Sequence, residues 1–163
     1  MNCAATFLEG LPPILDSGVD TLILGSFPSP ASLAAGQYYA HRQNQFWRLL
    51  AALTGEPLAE FAYPLRCRRL LEHGIGIWDV YASCQRQGAL DAAIRAAAIN
   101  DFNRLKAEAP RLRRVVFNGR TAGGMAGRFS AAGYATSVLP STSPAYTLAF
   151  ERKLVIWRAA LAG

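Results

Sequence analysis

The chain has 163 residues, 52% hydrophobic and 17% charged, a balance that belongs to a globular protein and excludes an intrinsically disordered one. No run reaches the ~18 apolar residues of a bilayer-spanning helix, and "MNCAATFLEG" has neither the basic start nor the long apolar stretch of a signal peptide. The net charge of +6, carried by arginine except at Lys106 and Lys153, suits a polyanionic partner, though an Arg- and Ala-rich composition alone produces the same excess.

In chain order, "TLILGS" (21–26) reads as the first buried strand, because its apolar residues are continuous and not alternating. A loop rich in Gly, Ser, Pro, Tyr, Asn and Gln follows. "QFWRLLAALTG" then sets Phe46, Leu49, Leu50 and Leu53 on one helical face and stops at Gly55. "GIGIWDV" (74–80) is the second strand. "LDAAIRAAAINDFNRLKAEAP" places Ile94, Ala98, Phe102 and Leu105 at helical spacing and predicts a long helix ending at Pro110. "RRVVFNG" (113–119) and "ATSVLPS" (135–141) are the third and fourth strands. The intervening "RTAGGMAGRFSAAG" is a poor helix because of its glycines. "TLAFERKLVIWRAAL" closes the chain as a helix anchored by Leu148, Leu154, Val155 and Trp157. This alternation predicts an α/β fold with helices on both faces of a four-stranded parallel sheet. Ligands of such sheets bind beyond the carboxyl ends of the strands, which directs attention to 25–45, 79–88, 118–121 and 139–147.

The acids are unevenly placed. None lies between Asp20 and Glu56 or between Glu108 and Glu151, and the second gap holds Arg111, Arg113, Arg114, Arg120 and Arg128. Acid-free windows are what a phosphate-facing surface needs. The cysteines, Cys3, Cys67 and Cys84, are odd in number and lack CxxC spacing, so they read as reduced thiols of a cytoplasmic protein and not as a metal or iron–sulfur site.

The first loop contains neither GxxxxGK[ST] nor GxGxxG, which disfavours nucleoside triphosphate chemistry. Gly25 lets a ligand approach the backbone. Tyr38 and Tyr39 form either a stacking surface or a buried structural pair. His41 is a candidate acid or base, or a helix-entry residue. Asn44 either caps the next helix or grips a water or a polar ring edge. In "LPSTSPAY" (139–146), Ser141, Thr142 and Ser143 offer hydroxyls to phosphate between the stiffening Pro140 and Pro144. "FNGR" puts Asn118 at a strand end and Arg120 at the next helix start. Asp79 orients another side chain or caps the following helix. No GxSxG and no Cys/His pair of useful spacing is present.

Together, "GSFPSPASLAAGQYYAHRQNQFW", "GIGIWDVYASCQRQGALDAAI", "NDF", "VFNG" and "LPSTSPA" resemble the uracil-DNA glycosylase superfamily, in order and over nearly the whole chain. The hypoxanthine-DNA glycosylase branch shares "GSFPS", "QYYAH" and "NxFW". The resemblance implies one domain over 1–163, a three-layer α/β/α sandwich, and a monofunctional enzyme that flips a deaminated base from double-stranded DNA and hydrolyses its N-glycosidic bond. It implies Asn44 as the catalytic residue, Tyr39 as the ring that stacks on the base, and Gly25, Ser26 and Phe27 as the pocket floor. Gln37 and Asn118 join the pocket; with His41 they are the candidates to share the work of Asn44. Ser29, Arg120, Pro140, Ser141, Thr142 and Ser143 would meet DNA. No cofactor, no metal and no membrane is implied, and the enzyme would act as a monomer. Phe27 stands where mismatch-type relatives hold a water-positioning asparagine, Leu139 stands where many relatives have His or Asn, and Arg42 replaces a common proline. These departures keep three alternatives open: a uracil or mismatch-specific uracil/thymine glycosylase, a non-catalytic damage-binding relative, and an enzyme of free nucleosides.

Overall fold

The computed structural model describes residues 6–162, so Cys3 lies outside the described residues. The elements are β1 (Phe7–Glu9), β2 (Thr21–Gly25), α1 (Pro30–Ala35), α2 (Phe46–Thr54), α3 (Tyr63–Glu72), β3 (Ile75–Asp79), β4 (Tyr81–Gln85), β5 (Arg95–Ile99), α4 (Leu105–Glu108), β6 (Arg114–Asn118), α5 (Arg120–Gly123), α6 (Ala126–Ala131), β7 (Ala135–Leu139) and α7 (Phe150–Leu161). The four strands read from apolar continuity are β2, β3, β6 and β7. They form one parallel sheet in the order β3-β2-β6-β7.

Strand alternation divides the core into two layers. Ile23, Ile77 and Val116 point to one face, where Phe46, Trp47, Leu49 and Leu50 of α2, Leu70 of α3 and Trp157 of α7 cover them. Leu22, Leu24, Trp78, Val115 and Phe117 point to the other, against Leu105, Ala122 and Phe129. Continuous apolar runs are required because both faces are covered. The sheet is thus the middle layer of an α/β/α sandwich, as expected.

Two expectations fail. The long helix over 90–110 does not form. Its first half is a 3-10 turn at Asp91–Ala93 followed by β5, which pairs antiparallel with β4 in a small second sheet ordered β1-β4-β5. The alanines favour helix locally, but pairing with β4 satisfies the backbone instead. Asn100 locks the return, donating its backbone N–H to the carbonyl of Val80 at 2.9 Å and its Nδ2 to the carbonyl of Asp79 at 2.8 Å. Phe102 and Leu105 still reach the core as predicted; the Phe102 ring meets Trp78 edge-on at 5.3 Å. Second, Val155 is no anchor: it is 65% exposed, while Trp157 and Lys153 are the buried residues of α7.

β2 has β3, the next strand of its sheet, on one side and β6 on the other. The chain therefore leaves β2 and β6 in opposite directions, and a crevice opens between their carboxyl ends.

Candidate active site

A cavity of about 270 Å³ occupies that crevice, at the small end of pockets that enclose one small ligand. Its wall includes Gly25, Ser26, Phe27 and Ser29 after β2, Tyr39 and Asn44 before α2, Asn118 at the end of β6, and Ser141, Thr142 and Ser143 after β7. Ten of the predicted site residues therefore meet around one space. Gln37, Pro140 and Arg120 do not line it. The Gln37 backbone N–H is used at the end of α1, donating to the carbonyl of Ser32. Pro140 accepts from Trp157 Nε1 at 2.9 Å, and Arg120 stands exposed at the start of α5.

Gly25 is the floor. A Cβ there would lie 2.6 Å from Asp79 Oδ1 and 2.9 Å from the Tyr39 hydroxyl, so only glycine leaves room for both groups. Tyr39 is held in the left-handed region, φ 56°, an uncommon backbone state for a bulky side chain. That twist lays its ring face-on to Phe46, with centroids 3.9 Å apart and planes 16° from parallel. Tyr38, in contrast, is the structural member of the pair: it is buried and donates its hydroxyl to the carbonyl of Pro12 at 2.8 Å.

Of the two roles its sequence position allowed, the structure shows Asn44 in the first, at the start of the helix. Its Oδ1 accepts from the Phe46 N–H at 2.9 Å and ties the side chain to the start of α2. Asn44 lines the cavity, and with Oδ1 so engaged its Nδ2 is the end left to donate. His41 is turned away from the site: it is exposed, and its Nδ1 accepts from the Gln43 N–H.

The 139–146 loop is locked from beneath. Asn118 donates from Nδ2 to Thr142 Oγ1 at 3.0 Å and accepts from the Thr142 N–H at 2.9 Å. The Gln45 N–H donates to the Thr142 carbonyl at 3.0 Å. From α7, Trp157 Nε1 holds Pro140 and Lys153 Nζ donates to the carbonyl of Tyr146 at 2.8 Å. Asn118 is thus a fastener of this loop as well as a wall residue. Thr142 is fully buried, so Ser141 and Ser143 are the hydroxyls of the predicted trio left nearer the surface. The arginines of the second acid-free window separate: Arg111, Arg113 and Arg114 lie before or at the first residue of β6, the end away from the cavity, and Arg120 follows its carboxyl end.

The first loop itself carries no acid, since none lies between Asp20 and Glu56. The fold supplies two. Asp79, at the end of β3, is 5% exposed and lines the cavity; it does not cap a helix, because the next element is β4. Burial first, and then the negative Asp91, push its carboxyl up to about 7, with Arg86 opposing. Asp91 comes from the segment misread as helix and accepts from Ser26 Oγ at 2.7 Å. Arg86 lies over the Phe27 ring, 5.3 Å from its centroid, and donates to the carbonyl of Pro28. Phe27 therefore serves as a packed floor plate. Burial, then Asp79, push the Tyr39 phenol up, with the Asn118 side chain opposing. The available sign of Asp91 was its place in the "GALD" block, which opens on Gly88 in a left-handed turn (φ 75°).

The model of the uracil DNA glycosylase superfamily matches residues 12–161. A protein of Methanosarcina acetivorans named hypoxanthine DNA glycosylase is 43% identical over 137 residues, covering 84% of this chain and 87% of that one. One of the same name from Methanosarcina barkeri is 39% identical over 149 residues, covering 91% and 94%. A solution NMR structure from M. acetivorans, named for uracil DNA glycosylase, superposes with a TM-score of 0.86 at 40% identity, covering 94% of this chain and 96% of that one. A family match over almost the whole chain, on a sheet whose carboxyl-end crevice holds the matching motifs, has one meaning: the chain belongs to the uracil DNA glycosylase superfamily.

Proposed function

We propose that this protein is a monofunctional hypoxanthine-DNA glycosylase, which flips the deaminated base out of double-stranded DNA and hydrolyses its N-glycosidic bond to leave an abasic site. The observation that carries the reading is Asn44: it lines the cavity with Tyr39, and its Oδ1 is fastened to α2, which leaves Nδ2 as its donor. The relatives named for hypoxanthine support the choice of base. The breaking bond leaves positive charge on the sugar and negative charge on the departing base. Preorganised donors aimed at that charge are the largest single means of lowering the barrier. Here they are Asn44 Nδ2 and backbone N–H groups of the 25–29 turn. A side-chain amide is no general base at neutral pH, so Asn44 acts by orienting water and by hydrogen bonding to base or sugar. Among the described residues no lysine lines the cavity, and Lys153 Nζ is engaged by Tyr146; without an amine to form a Schiff base, the strand is left uncut. The enzyme works as a monomer in the cytoplasm.

The test is incubation with duplexes carrying a single hypoxanthine, uracil, xanthine or G·T mismatch, followed by alkali. Alkali-dependent breaks at hypoxanthine support the proposal. Breaks at uracil alone would move the protein to the mismatch-type reading, and no break on any duplex would leave a damage-binding protein.

Two further outcomes follow from the geometry. Tyr39→Ala removes the ring platform and is expected to weaken capture of the flipped base by about 1–3 kcal/mol, the range for base–aromatic stacking. Undamaged-duplex binding, read in the same gel-shift series, stays close to wild type. Arg120→Ala is expected to lower the slope of log affinity against log salt by about 0.9, the value for one phosphate contact, without changing preference among bases.

A further inference from the structure

We propose that Asp79 is a proton-donating residue of the base pocket, whose carboxyl meets the imidazole edge of the flipped purine and protonates N7 as the glycosidic bond breaks. This rests on the hypoxanthine reading above and names a second catalytic residue for it.

Three observations converge. Asp79 is 95% shielded from solvent and lines the cavity, yet its Oδ2 has no hydrogen-bond partner among the described residues. A buried polar atom without a partner is costly and calls for an explanation; a ligand that completes it is one. Second, Asp79 Oδ1 and the Tyr39 hydroxyl both approach the point above Gly25 where a Cβ would stand. The carboxyl therefore shares the floor with the stacking ring, whose hydroxyl is likewise buried. Third, the two pocket carboxylates stand in different surroundings. Asp91 receives the Ser26 hydroxyl. Asp79 receives no such donor, faces Asp91, and is opposed only by Arg86. The other titratable groups near it, Tyr39 and Tyr38, are phenols pushed up and hence neutral; Gly25 opposite it in β2 and Asn100 on its carbonyl bring no charge. A buried carboxyl beside a second carboxylate is raised toward neutrality and can hold a proton there. Asp79, held near 7, is that group.

The chemistry suits a purine. Hypoxanthine carries a lone pair on N7 that a pyrimidine lacks. The Asp79 O–H bond breaks and its proton goes to that lone pair. The C1′–N9 electron pair moves onto the purine, and the proton on N7 neutralises the negative charge that builds there as the bond breaks, so the base departs as the 7H tautomer. Water oxygen bonds to C1′, and the proton it releases restores the Asp79 carboxyl through solvent. The acid form is the active one, so the rate falls as pH rises through the Asp79 titration.

The experiment is single-turnover release of hypoxanthine across the pH range by wild type and Asp79→Asn. Wild type is expected to lose about tenfold per pH unit above ~7, and the variant to run roughly 10²-fold slower at neutral pH with a flat profile, within the range of general acid catalysis. A second measurement needs no variant. Wild-type affinity for a duplex with the cleavage-resistant 2′-fluoro analogue of deoxyinosine should fall as pH rises from about 6 to 8. Affinity for a duplex with 7-deaza-2′-deoxyinosine should not. If wild type releases hypoxanthine but Asp79→Asn shares its rate and pH profile, or if the two duplexes show the same pH dependence, Asp79 is not the donor and the proposed function stands. If wild type releases no hypoxanthine at any pH, both fall together.

Discussion

Asn44→Ala is expected to slow single-turnover release of hypoxanthine by roughly 10²–10³-fold, the cost of removing one preorganised donor from a developing anion. The substitution also removes the acceptor for the Phe46 N–H, so it loses about 1 kcal/mol of the kind that helix-cap deletions cost. Asn44→Asp separates the two roles. A carboxylate still accepts from Phe46 and suits a helix start, so the melting temperature should stay near wild type. It has no N–H to offer and places negative charge beside a base that leaves with negative charge. Release by Asn44→Asp should therefore be at least as slow as by Asn44→Ala. Retention of wild-type single-turnover rates by either variant would remove Asn44 from the chemistry.

Gly25→Ala is the second large effect. The added methyl would sit 2.6 Å from Asp79 Oδ1 and 2.9 Å from the Tyr39 hydroxyl, well inside contact distance. Neither neighbour yields cheaply. Asp79 is a short, buried side chain at the end of β3, and the Tyr39 ring is pressed against Phe46. Overpacking of this kind costs about 1–3 kcal/mol in stability, to be read as a lower melting temperature. The catalytic loss should be larger, because the methyl occupies the floor on which the flipped base must rest. Misplacement by about 1 Å alone can cost 10²-fold. Loss of base capture with undamaged-duplex binding preserved would identify the pocket, and not the DNA surface, as the part damaged. A Gly25→Ala protein with unchanged release would mean that the base lies elsewhere.

Much of this site was legible before the fold. The motifs surrounding Gly25, Tyr39, Asn44 and the 139–146 loop meet at one cavity because strands of a parallel sheet deliver their following loops to a common edge. Apolar continuity located the four strands to within two residues at each end, since covering a sheet on both faces leaves no room for polar alternation. The segment 90–99 was misread because helix propensity is a local quantity, worth tenths of a kcal/mol per residue, and an available partner strand outweighs it. The misreading hid Asp91. Gln37 was placed in the pocket by the family resemblance, but it does not line the cavity, and its backbone N–H is used at the end of α1.

What the sequence by itself determined, then, is the layered α/β architecture, the edge of the sheet that works, and the aromatic and amide groups presented there. Each follows from the order of residues along one segment. What only the tertiary structure decided is the electrostatics of the pocket. Asp79 and Asp91 are far from the first loop along the chain, and nothing in a string of residues shows that one will be buried without a partner while the other receives a hydroxyl. Burial and through-space charge set the protonation of a carboxyl, and both exist only once β3 lies beside β2 and the turn after β4 folds back over Ser26.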